Sequence, residues 1–327
     1  VTTAIPQDTF EMQRPRLLAV AYRILGSRTE AEDAVQETWL RWAAADPDDV
    51  RRPEAWLTTV CARICLDHLR SARVRREAYV GSWLPEPLVE RLPDHSADPA
   101  RDAVEHEQVS LALLVVMERM APPQRVAFVL HDVFAVPFND IATILRTSPE
   151  AARQMASRAR RAVREDRAAS GTADLAEQRR VVTAFFDAAQ AGDLAGLIAV
   201  LDPEAVLVGD GGGIAPTARR AAVGAVQVAR FMRGLFRRTR LDAEARLTPV
   251  LVNGDLGMMV DVRALPGRTL PVPRNHPVPL GETLRYVVAF AVSDGRIQAI
   301  YNQGNPAKLT GLPGLLVDQS TWSSQGR

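Results

Sequence analysis

A chain of 327 residues, 47% of them hydrophobic, is long enough for two or three domains with cores of their own and is not a disordered tail. Its 40 basic and 39 acidic side chains leave a formal net charge of +1, which excludes polyanion binding through the field of the whole molecule and confines it to local patches. Arg63, Arg70, Arg73, Arg75 and Arg76 form one such patch and the arginines of 153–167 another, whereas 30–49 and 94–107 are acidic; every basic residue is arginine except Lys308. No apolar run approaches the roughly 18 residues of a membrane span, and VTTAIPQDTF at the start lacks a secretory pattern, so a cytoplasmic location is expected. Cys61 and Cys65 lie too close to staple a fold, and the histidines show no metal-ligand spacing; neither metal nor cofactor is expected.

In chain order, 10–44 has helical apolar spacing: Leu17, Leu18, Tyr22 and Leu25, a turn at Gly26 and Ser27, then Ala34, Val35, Trp39 and Leu40. An Asp/Pro-rich loop, 45–52, leads to a helix opened by Pro53, which passes through Trp56, Leu57, Val60, Ile64, Leu66 and Leu69 into the basic run 70–76. The spacing of Trp56 with Val60 and Ile64 makes it a core residue. Residues 1–80 form one all-helical unit. Pro85, Pro87, Pro93 and Pro99 exclude a helix from 81–108, a linker whose later part is acidic. Residues 109–170 form a second helical unit. From 171 to 310 the pattern gives helices at 175–191, 194–201 and 223–237, and strands at 206–208, 246–252, 256–264, 284–292 and 297–301. Asn253-Gly254 and Asp294-Gly295 sit where hairpin turns belong. Helices followed by a curved antiparallel sheet define an α+β unit, and 311–327 is a tail.

The most informative stretch is 138–163. Ile141, Ile144 and Leu145 share a helix face, Arg146 and Thr147 form a short connection, Ser148 is a good N-cap, and Pro149 suits the first helical position. The second helix places Ala152, Met155, Ala159 and Val163 on one side and Arg153, Ser157, Arg160 and Arg164 on the other. This is the pattern of a helix-turn-helix, although the connection lacks the glycine common in such turns. Early residues of the second helix reach base edges in that motif, so Arg153, Gln154 and Ser157 are readout candidates. Arg158, Arg160 and Arg161 suit phosphates. A solvated helix in an arginine-rich protein would show the same spacing.

The two helical units in this order resemble the σ2 and σ4 domains of an extracytoplasmic-function (group IV) RNA polymerase sigma factor. The resemblance rests on AEDAVQETWLRW at 31–42, PEAWLTTVCARICLDHLRSARVRRE at 53–77, and RVAFVLHDVFAVPFNDIATIL at 125–145 followed by the arginine-bearing helix. It implies core RNA polymerase and promoter DNA as partners. Asp33, Gln36 and Glu37 would then face the polymerase. Arg63, Arg70, Arg73, Arg75 and Arg76 would meet the −10 element, whose flipped base the 45–52 loop receives, and the second helix of the helix-turn-helix would read the −35 element. Opening a promoter requires holding phosphates and capturing an unpaired base, which arginine forks and a pocket supply. The linker acids Asp94, Asp98, Asp102 and Glu105 would lie toward the RNA exit path; plain solvation explains them equally well.

The third unit resembles a SnoaL-like domain of the NTF2-like superfamily. The implied architecture is two all-α sigma domains followed by an α+β cone-shaped domain around a pocket. Three motifs, WLPEP (Trp83, Leu84, Pro85, Glu86, Pro87), DGGG (Asp210, Gly211, Gly212, Gly213) and NPAKL (Asn305, Pro306, Ala307, Lys308, Leu309), resemble the ECF41 group of sigma factors, whose fused domain regulates the factor in cis. That group commonly has a basic residue after the glycines and Asp in the last motif, where this chain has Ile214 and Ala307. WLPEP is stiff and loses little entropy on docking, and DGGG permits close approach and offers N–H groups. The linker motif is therefore expected to dock on 210–213 and 305–309. The pocket suggests a small-molecule ligand. A competing reading is an isomerase or cyclase with Asp261, Tyr286, His276, Tyr301 and Asn302 as wall groups, but fold alone confers no activity and no enzyme is expected. A helix-turn-helix regulator without polymerase would leave the 31–42 and 53–77 blocks unexplained. No transmembrane partner is encoded, and an anti-sigma factor is left open.

Overall fold

The computed structural model describes residues 7–46, 50–77, 79, 81–92, 109–166, 168–169, 173–218, 220–268 and 283–312. The first helical unit is α1 (Gln7–Leu25), α2 (Arg28–Ala43) and α3 (Pro53–Glu77). Gly26, at φ 71°, ends α1, and the Ser27 hydroxyl starts α2 by accepting the Glu30 N–H. Leu17, Ile24, Leu25, Trp42, Leu57 and Ile64 fill the core between the three helices, and Cys61 and Cys65 are buried there as thiols. Trp56 is half-buried and tilts against Trp42 at 5.5 Å between ring centroids, as a core residue should. Leu40 departs from its expected place in that core and is 62% exposed.

The second unit is α4 (Leu111–Glu118), α5 (Pro122–Phe128), a π-helical turn (Val129–Val133), α6 (Phe138–Leu145) and α7 (Pro149–Glu165). Ser148 caps α7 by accepting the Ala151 N–H at 3.2 Å. Arg146 does without the missing glycine by adopting the left-handed conformation itself, at φ 54°. The buried stripe of α7 is Ala152, Ala156 and Ala159, small side chains that let it lie close on α5 and α6.

The third unit contains α8 (Leu175–Ala191), α9 (Leu194–Val200), α10 (Ala225–Asp242) and strands β2 (Leu201–Asp210), β3 (Ala222–Val223), β4 (Ala243–Val252), β5 (Asp255–Ala264), β6 (Thr283–Ser293) and β7 (Arg296–Gln303). Both expected hairpin turns form, with Asn253 and Asp294 at φ 53° and glycine following each. The linker supplies a strand that its prolines concealed: β1 (Val89–Arg91) pairs antiparallel with the edge of β4, Val89 opposite Val252. Three residues are too few for alternation to show in a sequence, and the pairing comes from the partner strand. The sheet order is β1-β4-β5-β6-β7-β2-β3, with β2 and β7 parallel.

Strand alternation gives this sheet two buried faces. Leu256, Met258, Phe290, Val292, Ile297 and Ile300 pack on α8, α9 and α10, with Phe185, Phe186 and Phe290 in edge contact. Val250, Val252, Met259, Val287, Ala289, Ala299 and Tyr301 belong instead to the core that runs through both helical units. The sheet is thus the middle layer of three, with the linker strand β1 at one edge. Among the described residues no helix is long and apolar enough to cross a membrane, and no cluster of three or more His, Cys, Asp or Glu could hold a metal ion.

Candidate functional site

The outer face of α7 is a basic surface. Arg153, Gln154, Ser157, Arg158 and Arg161 are exposed. The Arg153 guanidinium lies over the Phe138 ring at 5.5 Å and near Glu150 at 3.6 Å, contacts that pre-position it at the start of the helix. Arg160 is half-buried and reaches Asp132 of the π-helical turn at 3.4 Å. Burial raises the Asp132 carboxyl above its ordinary value, and Arg160 opposes that rise.

On α2, Asp33 and Gln36 are exposed. Glu37 is partly committed, its carboxylate 2.5 Å from Arg41 and 3.9 Å from His68. Leu40, one turn beyond Gln36 and Glu37, adds an apolar contact to this otherwise polar face. Its helical spacing had merged with that of the core.

The arginines assigned to the −10 element do not all face solvent. Arg63 donates to the carbonyl of Thr143 on α6 at 2.9 Å, joining the two helical units. Arg70 pairs with Asp67 at 3.2 Å on the exposed side of α3. The side chains of Arg73, Arg75 and Arg76 lie outside the described residues, as do 47–49 of the loop and the linker acids Asp94, Asp98, Asp102 and Glu105. The guanidinium groups of Arg16 and Arg23 lie 6.0 and 5.1 Å from the Phe134 ring centre, and Arg16 donates to Thr58 at 3.3 Å. A cleft of about 490 Å³ remains between the units, lined by Arg16, Arg51, Arg52, Thr59, Phe134 and Asp140. Arg125 of α5, 2% exposed, donates to Glu118 at 2.7 Å. Burial weakens its hold on the proton, and the charge of Glu30 across the seam works the other way. Gly26 makes this closeness possible, since a Cβ there would stand 2.9 Å from the Glu118 carboxylate.

The three short motifs converge on one buried site. Asp210, fully buried, accepts through Oδ2 from the Leu84 N–H at 3.0 Å and the Lys308 ammonium at 2.7 Å, and through Oδ1 from the Tyr79 hydroxyl at 2.5 Å and the Gly212 N–H at 3.0 Å. Lys308 also donates to the Leu84 carbonyl at 2.6 Å and stands 3.1 Å over the Trp83 ring. Asn305 donates to the Tyr79 hydroxyl at 2.8 Å, and Gln303 donates to the Pro85 carbonyl at 3.3 Å. Burial is the largest cause that pushes the Tyr79 phenol up, so it stays protonated and donates. Gly212 is required by contact, because a Cβ would lie 2.5 Å from the Asn305 side chain. Gly211 is buried beside it, Gly213 takes φ 74°, Pro306 is exposed and Leu309 is half-buried. Exposed Ala307 and half-buried Ile214 carry no charge; the ion pair runs between Lys308 and Asp210 instead. Tyr79, Gln303 and the weight of Lys308 escaped sequence reading, because a single lysine among arginines looks like compositional accident.

The opposite side of the linker motif grips the first unit. Glu86, 5% exposed, accepts the Arg28 N–H at 2.8 Å and the Ser27 hydroxyl at 3.0 Å, capping the start of α2, and its own N–H donates to the Gly26 carbonyl at 2.8 Å. Pro85 and Pro87 are buried alongside.

The suggested pocket walls do not meet. Tyr286, whose hydroxyl donates to the Pro216 carbonyl at 3.3 Å, clusters with Ala215 and Leu284, and strand alternation puts Asn302 on that face. Asp261 and Tyr301 project from the other face, where Arg285 donates to Asp261 at 2.6 Å; His276 lies outside the described residues. Two polar groups on each side of a sheet cannot form one catalytic wall.

A helix-turn-helix unit, a three-helix unit with a basic final helix, and an α+β domain joined through a gripped linker define a sigma-factor architecture with an appended SnoaL-like domain. The family profiles match accordingly: Sigma-70 region 2 over residues 9–75, Sigma-70 region 4 over 110–163 and the SnoaL-like domain over 182–300. The chain belongs to the ECF RNA polymerase sigma factors. It is 44% identical over 306 residues to the ECF RNA polymerase sigma factor SigJ of Mycobacterium tuberculosis, covering 93% of both chains. It is 39% identical over 192 residues to the probable ECF sigma factor SigI of the same species, covering 58% of this chain and 64% of that one. The crystal structure of M. tuberculosis SigJ superposes with a TM-score of 0.68 at 40% identity, covering 94% of this chain and 99% of that one. These relatives are sigma factors and not enzymes.

Proposed function

We propose that this sigma factor binds core RNA polymerase in the cytoplasm and directs it to promoters, with its third domain holding it closed until released. The observation that carries this reading is the linker seam: Trp83 and Leu84 are held by Asp210 and Lys308 on one side while Glu86 caps α2 on the other. The −10 and −35 elements are about 25 base pairs apart, roughly 85 Å at about 3.4 Å per step. A chain in which Arg63 touches Thr143 cannot place α3 on one element and α7 on the other. Promoter binding therefore requires σ4, residues 109–170, to leave σ2, residues 1–80, and the linker 81–108 to change its seat on the SnoaL-like domain 171–310.

In the open form, Arg153, Gln154 and Ser157 read −35 bases and Arg158, Arg160 and Arg161 hold phosphates. Arg63 and Arg70, with Arg73, Arg75 and Arg76, face the −10 region, and Asp33, Gln36, Glu37 and Leu40 dock on polymerase. Trp83 to Pro87, Asp210 to Gly213, and Asn305, Pro306, Lys308 and Leu309 form the regulatory contact. In vitro transcription from a genomic promoter pool with core polymerase tests this. Promoter-specific starts that increase when Asp210→Asn weakens the seam support it; no starts with either protein would overturn it.

A further inference from the structure

Asn253 lies outside all three motifs, and its sequence context assigns it no more than a hairpin turn. It is 2% exposed, at the tip between β4 and β5. Its Oδ1 accepts the Leu88 N–H at 3.1 Å, and its backbone N–H donates to the Leu88 carbonyl at 2.8 Å. Its Nδ2 donates to the Tyr22 hydroxyl at 3.0 Å and to the Val109 carbonyl at 3.2 Å. Both amide hydrogens are thus spent, each on a different segment. Tyr22 belongs to α1, Leu88 to the linker, and Val109 to the start of the second helical unit, directly before Ser110, whose hydroxyl caps α4. Burial pushes the Tyr22 phenol up, so it remains a donor and passes its own hydrogen to the Glu86 carbonyl at 2.8 Å.

We infer that Asn253 is the positioning residue that clasps the linker at Leu88 and the start of σ4 at Val109 to σ2, and thereby sets how far σ4 stands from it. This rests on the proposal that promoter binding requires the closed chain to open. An aspartate would set two acceptors, its carboxylate and the Val109 carbonyl, against each other in a buried site. Glycine would keep the left-handed turn at φ 53° while deleting every side-chain bond, so the hairpin survives and the clasp does not.

The test is single-molecule energy transfer in the full chain between dyes on Glu32→Cys of α2 and Glu165→Cys of α7; Cys61 and Cys65 are buried and stay unlabelled. Asn253→Asp should raise the low-transfer population at least tenfold and Asn253→Gly several-fold, with the circular dichroism of the sheet retained. Asp294→Gly alters the equivalent turn at the β6–β7 hairpin, whose Gly295 N–H is bonded to Glu177 of α8 and not to the linker, and should leave the distribution as in the parent. An unchanged distribution in Asn253→Asp, or equal opening in Asp294→Gly, overturns the clasp. Lys308→Met separates the two ideas: if it opens the chain and the Asn253 variants do not, the clasp fails alone, and if none opens, the closed-state reading fails with it.

Discussion

Lys308→Met removes the ammonium of the chain's one lysine while keeping most of its apolar length. In the closed state that ammonium is 2.7 Å from Asp210, 2.6 Å from the Leu84 carbonyl and 3.1 Å above the Trp83 ring. The two side chains are 9% and 0% exposed, so solvent screening is slight. Removing one partner of a buried pair costs about 3–5 kcal/mol, because the other charge stays buried. Here Leu84, Gly212 and Tyr79 still donate to the carboxylate, which points to the lower end, about 3 kcal/mol, or roughly a hundredfold in the docking equilibrium. The assay is hydrogen exchange across 83–88. Protection there should fall by about two orders of magnitude while β5 and β6 keep theirs, and adding Asp210→Asn should restore part of it, since a neutral amide needs no counter-charge. Unchanged exchange at 83–88, or an equal loss over the whole sheet, would show that the pair supports the domain and not the docking.

Three further outcomes are expected. Arg153→Ala should weaken specific −35 binding by about 1–3 kcal/mol and relax preference at one base, whereas Arg161→Ala should weaken binding to all sequences alike and flatten the salt dependence; equal losses on specific and random duplexes in fluorescence anisotropy would refute the assignment. Arg146→Gly removes a non-glycine residue from the left-handed turn at φ 54° and should stabilise the helix-turn-helix by up to about 1 kcal/mol in urea unfolding; destabilisation would mean that the arginine side chain holds the turn. Asp255 has its carboxyl raised by burial, while the Gln178 amide bonded to it acts to lower it. The folded state therefore binds the proton more tightly than the unfolded chain, and this group's contribution to stability declines as pH rises from the ordinary carboxylate range through the raised value. Asp255→Asn keeps an acceptor for Gln178 without that decline, so the stability of the variant relative to the parent should grow over the same window, and the opposite slope would contradict the burial argument.

Local chemistry made much of this molecule legible. Ser148 and Pro149 start α7 because capping needs only neighbouring residues, and Asn253-Gly254 and Asp294-Gly295 turn because left-handed backbone has few suitable side chains. Non-local facts stayed hidden. Nothing near Val89 signals a strand, since its pairing is supplied by Val252. Leu40 has core spacing yet faces solvent. Asp261 and Tyr286 look like one pocket until the register of β5 and β6 sets them on opposite faces. At the linker seam the motifs were readable but their chemistry was not. The charge pair lies between Lys308 and Asp210, 98 positions apart, and the clasping amide of Asn253 looked like a turn.

A chain held closed is expected not to initiate. Thr59→Cys and Asp140→Cys, on the two sides of the cleft between σ2 and σ4, can be joined by a cleavable bismaleimide and assayed with core polymerase before and after cleavage. The bridged protein should give no promoter-specific transcript and the cleaved protein should recover it; equal transcription from the bridged form would contradict the claim.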